Sequence, residues 1–458
     1  MRRPTHHAST RTTATATRRL ASLALAIGFA SASASASALA ATEVEWWHAM
    51  GGGLGKKVDE IAADFNASQD DYVVKPVFKG NYSETMTSAI AAFRAGKGPD
   101  IVQIFEVGTA TMMSAKGAIV PVHQLMADFA PQEGTAFDPN AYLSAVTGYY
   151  TDTDGKMLSM PFNSSTPVTY YNKDVLAKAG VDSLPQTWQE MGAALKKVVD
   201  SGAASCGLTT TWPSWVMLEN FSARNDVPFA SQANGFAGTD TRLEFNTTAV
   251  VDHIQRLDDW QADKRFVFGG RFDDAAPKFY SGECAMMMGS SASYAGVKES
   301  AKGFEFGVAP LPYDSDVIET PQNSIIGGAS LWVLSGHSDE EYQGVAKFFQ
   351  YLSKPEVQAD WHQFTGYLPI TTAAAELTRE QGFYAENPGT DVAITQMTSA
   401  TPTENSKGLR LGNMVQIRDV INEELEKIFS GKESVQDGLD NAVKRGDSLL
   451  EKFERANG

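Results

Sequence analysis

Apolar residues recur along this chain with two periods that take turns, and their order predicts an α/β protein. "TEVEWWHAM" (42–50) reads as a strand. After a Gly-rich turn, Leu54, Val58, Ile61 and Phe65 recur at spacings of four, three and four, which places them on one helical face. "DYVVKPVF" (71–78) is a second strand, and Met86, Ile90 and Phe93 stripe a second helix that Gly96 ends. "DIVQIFEVG" (100–108) is a nearly continuous apolar run, the pattern of a strand covered on both faces. Such alternation predicts an open sheet whose ligands sit beyond the carboxyl ends of its strands, and Glu106 lies at that end.

A second α/β block begins near residue 165. Its first clear helix opens on the capping box Thr187-Trp188-Gln189-Glu190 and carries Met191, Leu195, Val198 and Val199 on one side. "FGVAPLPYDSD" (306–316) reads as a connecting segment, "NSIIGGASLWVL" (323–334) as a strand interrupted by two glycines, and the last hundred residues as mostly helical. In "GLRLGNMVQIRDVINEELEKIF" (408–429), Met414, Ile417, Ile421, Leu425 and Ile428 form a buried helical face. Arg418 falls on that same face. A guanidinium there costs several kcal/mol unless it is paired, so either a structural carboxylate or a ligand anion must meet it.

Three further patterns each have a bland and a functional reading. "PFNSSTPVTYYNKDVL" (161–176) sets small hydroxyl and amide side chains before an aromatic strand, either as loop and cap chemistry or as donors around a polar ligand. Gly327-Gly328 marks a bulge or a pair of bared N–H groups. Trp212 and Trp215, in the proline-interrupted "TWPSW", either buttress a loop or stack on a polyol. Met286, Met287 and Met288 read as core filler.

A chain of 458 residues with 43% apolar and 20% charged residues exceeds what one core organises, which predicts two domains. Arginines ahead of "LASLALAIGFA" (20–30) and an Ala38-Leu39-Ala40 ending predict an exported signal peptide over residues 1–40, cut after Ala40. Thr17-Arg18-Arg19-Leu20 holds part of a twin-arginine pattern, so both general secretion and that route stay open. No later apolar stretch is long enough to span a bilayer. A periplasmic location follows. Loss of Arg2, Arg3, Arg11, Arg18 and Arg19 takes the formal charge from −17 down five units to −22, which repels nucleic acid and anionic membranes. Cys206 and Cys284, an even pair in an oxidising compartment, are candidates for one disulfide, with two buried thiols as the alternative.

Catalytic equipment is missing from the sequence. The seven histidines form no H-x-x-x-H pair, and no G-x-S-x-G elbow, P-loop or Cys/His metal spacing occurs. Binding without chemistry, with no cofactor and no metal, is the better class.

"PFNSSTPVTYYNKDVL" also resembles the signature of the extracytoplasmic solute-binding proteins of ABC importers, in the branch with maltose-type sugar binders. Pro161-Phe162-Asn163, Tyr170-Tyr171-Asn172 and Lys178 carry it, and Thr169 departs from the usual hydrophobic residue. "KGNY" (79–82), "FEVGTATMM" (105–113), "LENFSA" (218–223), "GGASLWV", "TGYLPIT" (365–371), "LTREQGFY" (377–384) and "KGLRLGNM" (407–414) narrow the resemblance to the members that take up glycerol 3-phosphate.

The resemblance implies a two-lobed α/β periplasmic binding protein of class II, each lobe an open, mainly parallel sheet, with ligand trapped as the lobes close. The implied N-terminal lobe is 41–160 plus 309–355, and the C-terminal lobe 161–308 plus 356–458. Its implied ligand residues are Tyr82, Glu106, Ser165, Trp212, Trp215, Ser290, Gly328, Tyr367 and Arg418. In that reading Arg418, Ser165, Ser290, Tyr367 and the Gly328 N–H hold the phosphate, Glu106 takes the glycerol hydroxyls at the far end, and the tryptophans cover the carbons. A single cation also suits a phosphodiester such as glycerophosphocholine, whose ammonium would meet the aromatic rings. The implied partners are membrane-embedded ABC permease subunits, met by a monomer. A neutral oligosaccharide receptor on the same fold and a secreted phosphodiesterase are the alternatives.

Overall fold

The computed structural model describes residues 40–130, 137–152 and 154–457. The predicted leader, 1–40, lies outside the described residues except for Ala40. Among the described residues eleven strands form two sheets. The first has the order β2-β1-β3-β11-β4, from β1 (Thr42–His48), β2 (Tyr72–Phe78), β3 (Ile101–Phe105), β4 (Ile119–Val120) and β11 (Gly327–Leu334), and β5 (Met160–Ser165) also pairs with β11. The second runs β10-β6-β9-β7-β8, from β6 (Pro167–Asn172), β7 (Cys206–Thr210), β8 (Phe266–Val267), β9 (Cys284–Ser290) and β10 (Phe306–Ala309).

As expected, each sheet is mainly parallel, with one strand reversed. β1 runs parallel to β2 and β3, whereas β11 is antiparallel to β3, β4 and β5. The cause is where the chain re-enters: β3 ends at the cleft with Glu106, and β11 starts there with Gly327, so it must run the other way. In the second sheet β7 is parallel to β8 and β9, and β6 alone is reversed, antiparallel to both β9 and β10.

Two expected boundaries shift. The division at 160/161 falls inside β5, whose residues pair with β11 of the first sheet, so the first crossing is at Thr166. Cross-strand hydrogen bonding, which sequence periodicity does not report, decides this. The second crossing spans Ala309 to Gly327, and the segment expected to begin as a connection at 306 first adds the edge strand β10. Thr166 ties the two crossings together, donating to Ser324 Oγ at 2.6 Å and to the Ile325 carbonyl at 3.0 Å.

The helices form where the apolar stripes predict them. Helix Gly52–Ala67 buries Val58, Ile61 and Phe65. Helix Tyr82–Arg94 opens on a full capping box between Asn81 and Glu84, and helix Trp188–Asp200 on one between Thr187 and Glu190. Helix Met414–Phe429 buries Met414, Ile417, Ile421, Leu425 and Ile428, and Val415, Val420 and Phe429 beside them. Trp46, Trp332, Phe65 and Phe348 fill the first lobe, and Leu208, Phe266 and Met286 to Met288 the second. Each such side chain contributes about 1.5–3 kcal/mol on burial. Cys206 and Cys284, register partners on β7 and β9, are disulfide-bonded.

Candidate functional site

The C-terminal ends of β1 and β3, the crossing strands β5 and β11, the tryptophan turn of the second lobe and helix Met414–Phe429 converge on one place. At its centre is Arg418, 8% exposed. Nε and Nη2 donate to the two oxygens of Glu219 at 2.8 and 2.7 Å, and Nη2 also meets Glu106 Oε1 at 2.6 Å. Of the five guanidinium donors these contacts engage three, and the two N–H of Nη1 take no part in them.

Glu219 explains how a guanidinium is tolerated on an apolar helix face. It ends a π-helical turn, Ser214–Glu219, which follows directly from "TWP", and it is 1% exposed. Ser214 Oγ donates to Glu219 Oε1 at 3.0 Å, so that oxygen is held from both sides. Between the two options open in the sequence, a structural carboxylate therefore meets Arg418. Glu219 was within reach of sequence reading, since it stands in "LENFSA", but nothing local says that an acid there faces a helix 199 positions later.

Glu106 sits at the end of β3, where the chain turns into a short 3₁₀ segment, Glu106–Gly108. The far-end position expected for it is corrected by its contact with Arg418. Burial pushes its carboxyl above the ordinary range, and the pull of Arg418, partly offset by the charge of Glu219, does not reverse this. Burial opposes the charge on Arg418 too, but Glu106 and Glu219 outweigh it and hold the guanidinium protonated far above any working pH. Two carboxylates around one cation leave the cluster with a net negative charge.

Trp212, Trp215 and Arg418 line the same pocket, together with Ser83, Phe105 and Asn422. Trp212 is held in a left-handed conformation (φ 50), and its indole N–H donates to Asp273 Oδ1 at 3.1 Å. With its indole N–H donating to the Ile326 carbonyl at 3.4 Å, the Trp215 ring packs against the second crossing. A Cβ on Gly327 would stand 2.3 Å from it, so only glycine lets the two approach. Gly328, at φ +92, faces the Asn163 carbonyl so closely that a Cβ would come within 1.8 Å. The ladder irregularity expected at these glycines falls one residue later, between Ala329 and Ser330.

Tyr82, in the first turn of its helix, stacks on Phe105 at 5.3 Å and 3°, and its hydroxyl accepts from Asn163 Nδ2 at 2.8 Å. Tyr367 stacks on Trp361 at 5.6 Å and 4°, beside Tyr82 and Asn163. Burial pushes both phenols up. Ser165 ends β5 opposite Gly327. Ser290 ends β9 opposite Pro167, and its Oγ accepts the Ala292 N–H at 3.1 Å, leaving its own O–H to donate. Thus Arg418, Glu106 and the tryptophans form one cluster, Tyr82 and Tyr367 a second, and Ser165, Gly328 and Ser290 lie along the crossing.

Comparison with known proteins agrees with this architecture. The family model described as bacterial extracellular solute-binding protein matches residues 60–390. The sn-glycerol-3-phosphate-binding periplasmic protein UgpB of Yersinia pseudotuberculosis is 54% identical over 422 residues, covering 92% of this chain and 94% of that protein. Its namesake from Salmonella typhimurium is 52% identical, covering 92% and 95%. Among solved structures, UgpB from Mycobacterium tuberculosis in complex with glycerophosphocholine superposes with a TM-score of 0.76 at 22% identity, over 90% of this chain and 99% of that one. Maltose-bound MalE3 of T. maritima gives 0.73 at 19% identity, over 90% and 100%. At those identities the two structures share the fold.

Proposed function

Because the chain belongs to the bacterial extracellular solute-binding protein family, we propose that it is the receptor of an ABC importer and captures glycerol 3-phosphate, or a glycerophosphodiester such as glycerophosphocholine, between its lobes. The observation that carries this is the Arg418 cluster in a tryptophan-lined cleft. Glu219 pre-orients the guanidinium, which reduces what binding must spend on ordering it. Arg418 Nη1 then presents two charge-assisted donors to an anionic oxygen. Glu106, beside it rather than across the cleft, accepts from a neighbouring glycerol hydroxyl. Ser165, Ser290, Tyr367 and the Gly328 backbone hold the remaining phosphate oxygens, and Trp212 and Trp215 cover the carbons.

The full reading includes export with cleavage near Ala40, a periplasmic monomer, closure about the crossings at Thr166 and 310–326, and delivery to two permease subunits with the ligand unchanged. It uses no cofactor or metal. One observation favours a second reading. Arg418 is already met by two acids, which would suit a neutral oligosaccharide.

Calorimetric titration of the exported chain with glycerol 3-phosphate, glycerophosphocholine, glycerol and maltose separates the two. Saturable heat is expected from the phosphate compounds and none from glycerol or maltose. Binding of maltose alone would overturn the phosphate assignment and return Arg418 to a purely structural role.

A further inference from the structure

Behind Tyr82 runs a buried chain of amides. It starts at the backbone N–H of Ala49, just past β1, which donates to Gln103 Oε1 at 2.7 Å. Gln103 Nε2 donates to Asn163 Oδ1 at 2.7 Å, and Asn163 Nδ2 donates to Tyr82 Oη at 2.8 Å. Gln103 and Asn163 are both 0% exposed. Tyr367 lies beside both Asn163 and Tyr82.

The direction of this chain is not free. A backbone N–H only donates, so the Gln103 carbonyl must face Ala49 and its NH₂ must face Asn163. Asn163 then has to turn its carbonyl to Gln103 and its NH₂ to Tyr82. With Tyr82 Oη accepting an amide proton, its own O–H is left to donate. Tyr367 has for its O–H the Met50 sulfur, a weak acceptor 3.9 Å from its Oη.

We propose that Gln103 and Asn163 are positioning residues that set the polarity of the Tyr82–Tyr367 pair, so that it offers the cleft a donor and selects ligands with an anionic oxygen there. The inference rests on the phosphate reading above. It concerns how the tyrosine pair is presented, not whether Arg418 binds.

Two substitutions test it against glycerol 3-phosphate by calorimetry, with melting curves run beside them. Asn163→Asp keeps the shape but can only accept, so it draws the spare tyrosine proton inward. Gln103→Met is neutral and removes the anchor that fixes the Asn163 amide. Each is expected to weaken binding about tenfold, the worth of one hydrogen bond to a charged oxygen. In a Tyr82→Phe, Tyr367→Phe background neither should weaken binding further. If Asn163→Asp fails to melt cooperatively, Gln103→Met carries the test.

Wild-type affinity in a folded Gln103→Met protein would overturn the proposal. So would an equal loss in the double-phenylalanine background, because that loss would be long-range charge or packing alone. Silence of the unmodified protein toward every phosphate compound would instead overturn the phosphate reading, and this inference with it.

Discussion

Arg418 shows how one side chain can serve stability and recognition together. Removing it leaves Glu106 and Glu219, 4% and 1% exposed, without their cation. Arg418→Ala should therefore cost roughly 3–5 kcal/mol in denaturant unfolding without ligand, as well as abolishing phosphate binding. An unchanged unfolding midpoint would mean that the guanidinium is not held in this cluster. The variant thus tests the ion cluster and not the ligand role, for which the titrations are the proper measurement. Gly328 is a second case at this scale. Gly328→Ala would strain φ +92 and press a methyl into the Asn163 carbonyl, a cost of roughly 2 kcal/mol or more, and the melting temperature should fall accordingly.

Among the elements, helix Pro355–Thr365 and the segment after it carry a pH response. His362 lies buried in the last turn of that helix, its Nδ1 bonded to the Tyr367 carbonyl and its Nε2 accepting from Tyr384 at 3.1 Å. Burial outweighs the carbonyl contact and lowers its pKa to about 4. The unfolded chain, at the ordinary histidine value of 6.5, then binds more protons than the folded one between those limits. Stability should be full above pH 6.5 and fall by about 3 kcal/mol as the pH drops toward 4. Unfolding curves of wild type and His362→Gln across that range check this, since the variant should lose that part of the slope. A slope identical in both proteins would place the proton uptake elsewhere.

The disulfide and the crossings act on the molecule as a whole. Cys206 and Cys284 are 78 residues apart, and a bridge over such a loop stabilises by roughly 4 kcal/mol in the chain-entropy account. Both ends lie in one sheet, so Cys206→Ser with Cys284→Ser should lower the melting temperature and leave the ligand affinity unchanged. A lost affinity would show that the bridge reaches the cleft. Much of this architecture was legible in the sequence. The stripes Val58-Ile61-Phe65 and Ile417-Ile421-Leu425 marked their helices because periodicity is a local property. Capping boxes at Thr187 and the apolar run before Glu106 placed element ends for the same reason.

What the sequence by itself determined was the set of elements, the two-block α/β order and the oddity of a cation on an apolar face. Tertiary structure alone decided that β5 belongs to the first sheet, that Glu219 and Glu106 are the partners of Arg418, and that Asn163 and Gln103 stand behind the tyrosines. The physical reason is the range of the interactions. Side-chain periodicity is written within a few residues, whereas strand pairing and the neutralisation of a buried charge join positions up to 199 apart, and their partners are chosen only when the chain has folded.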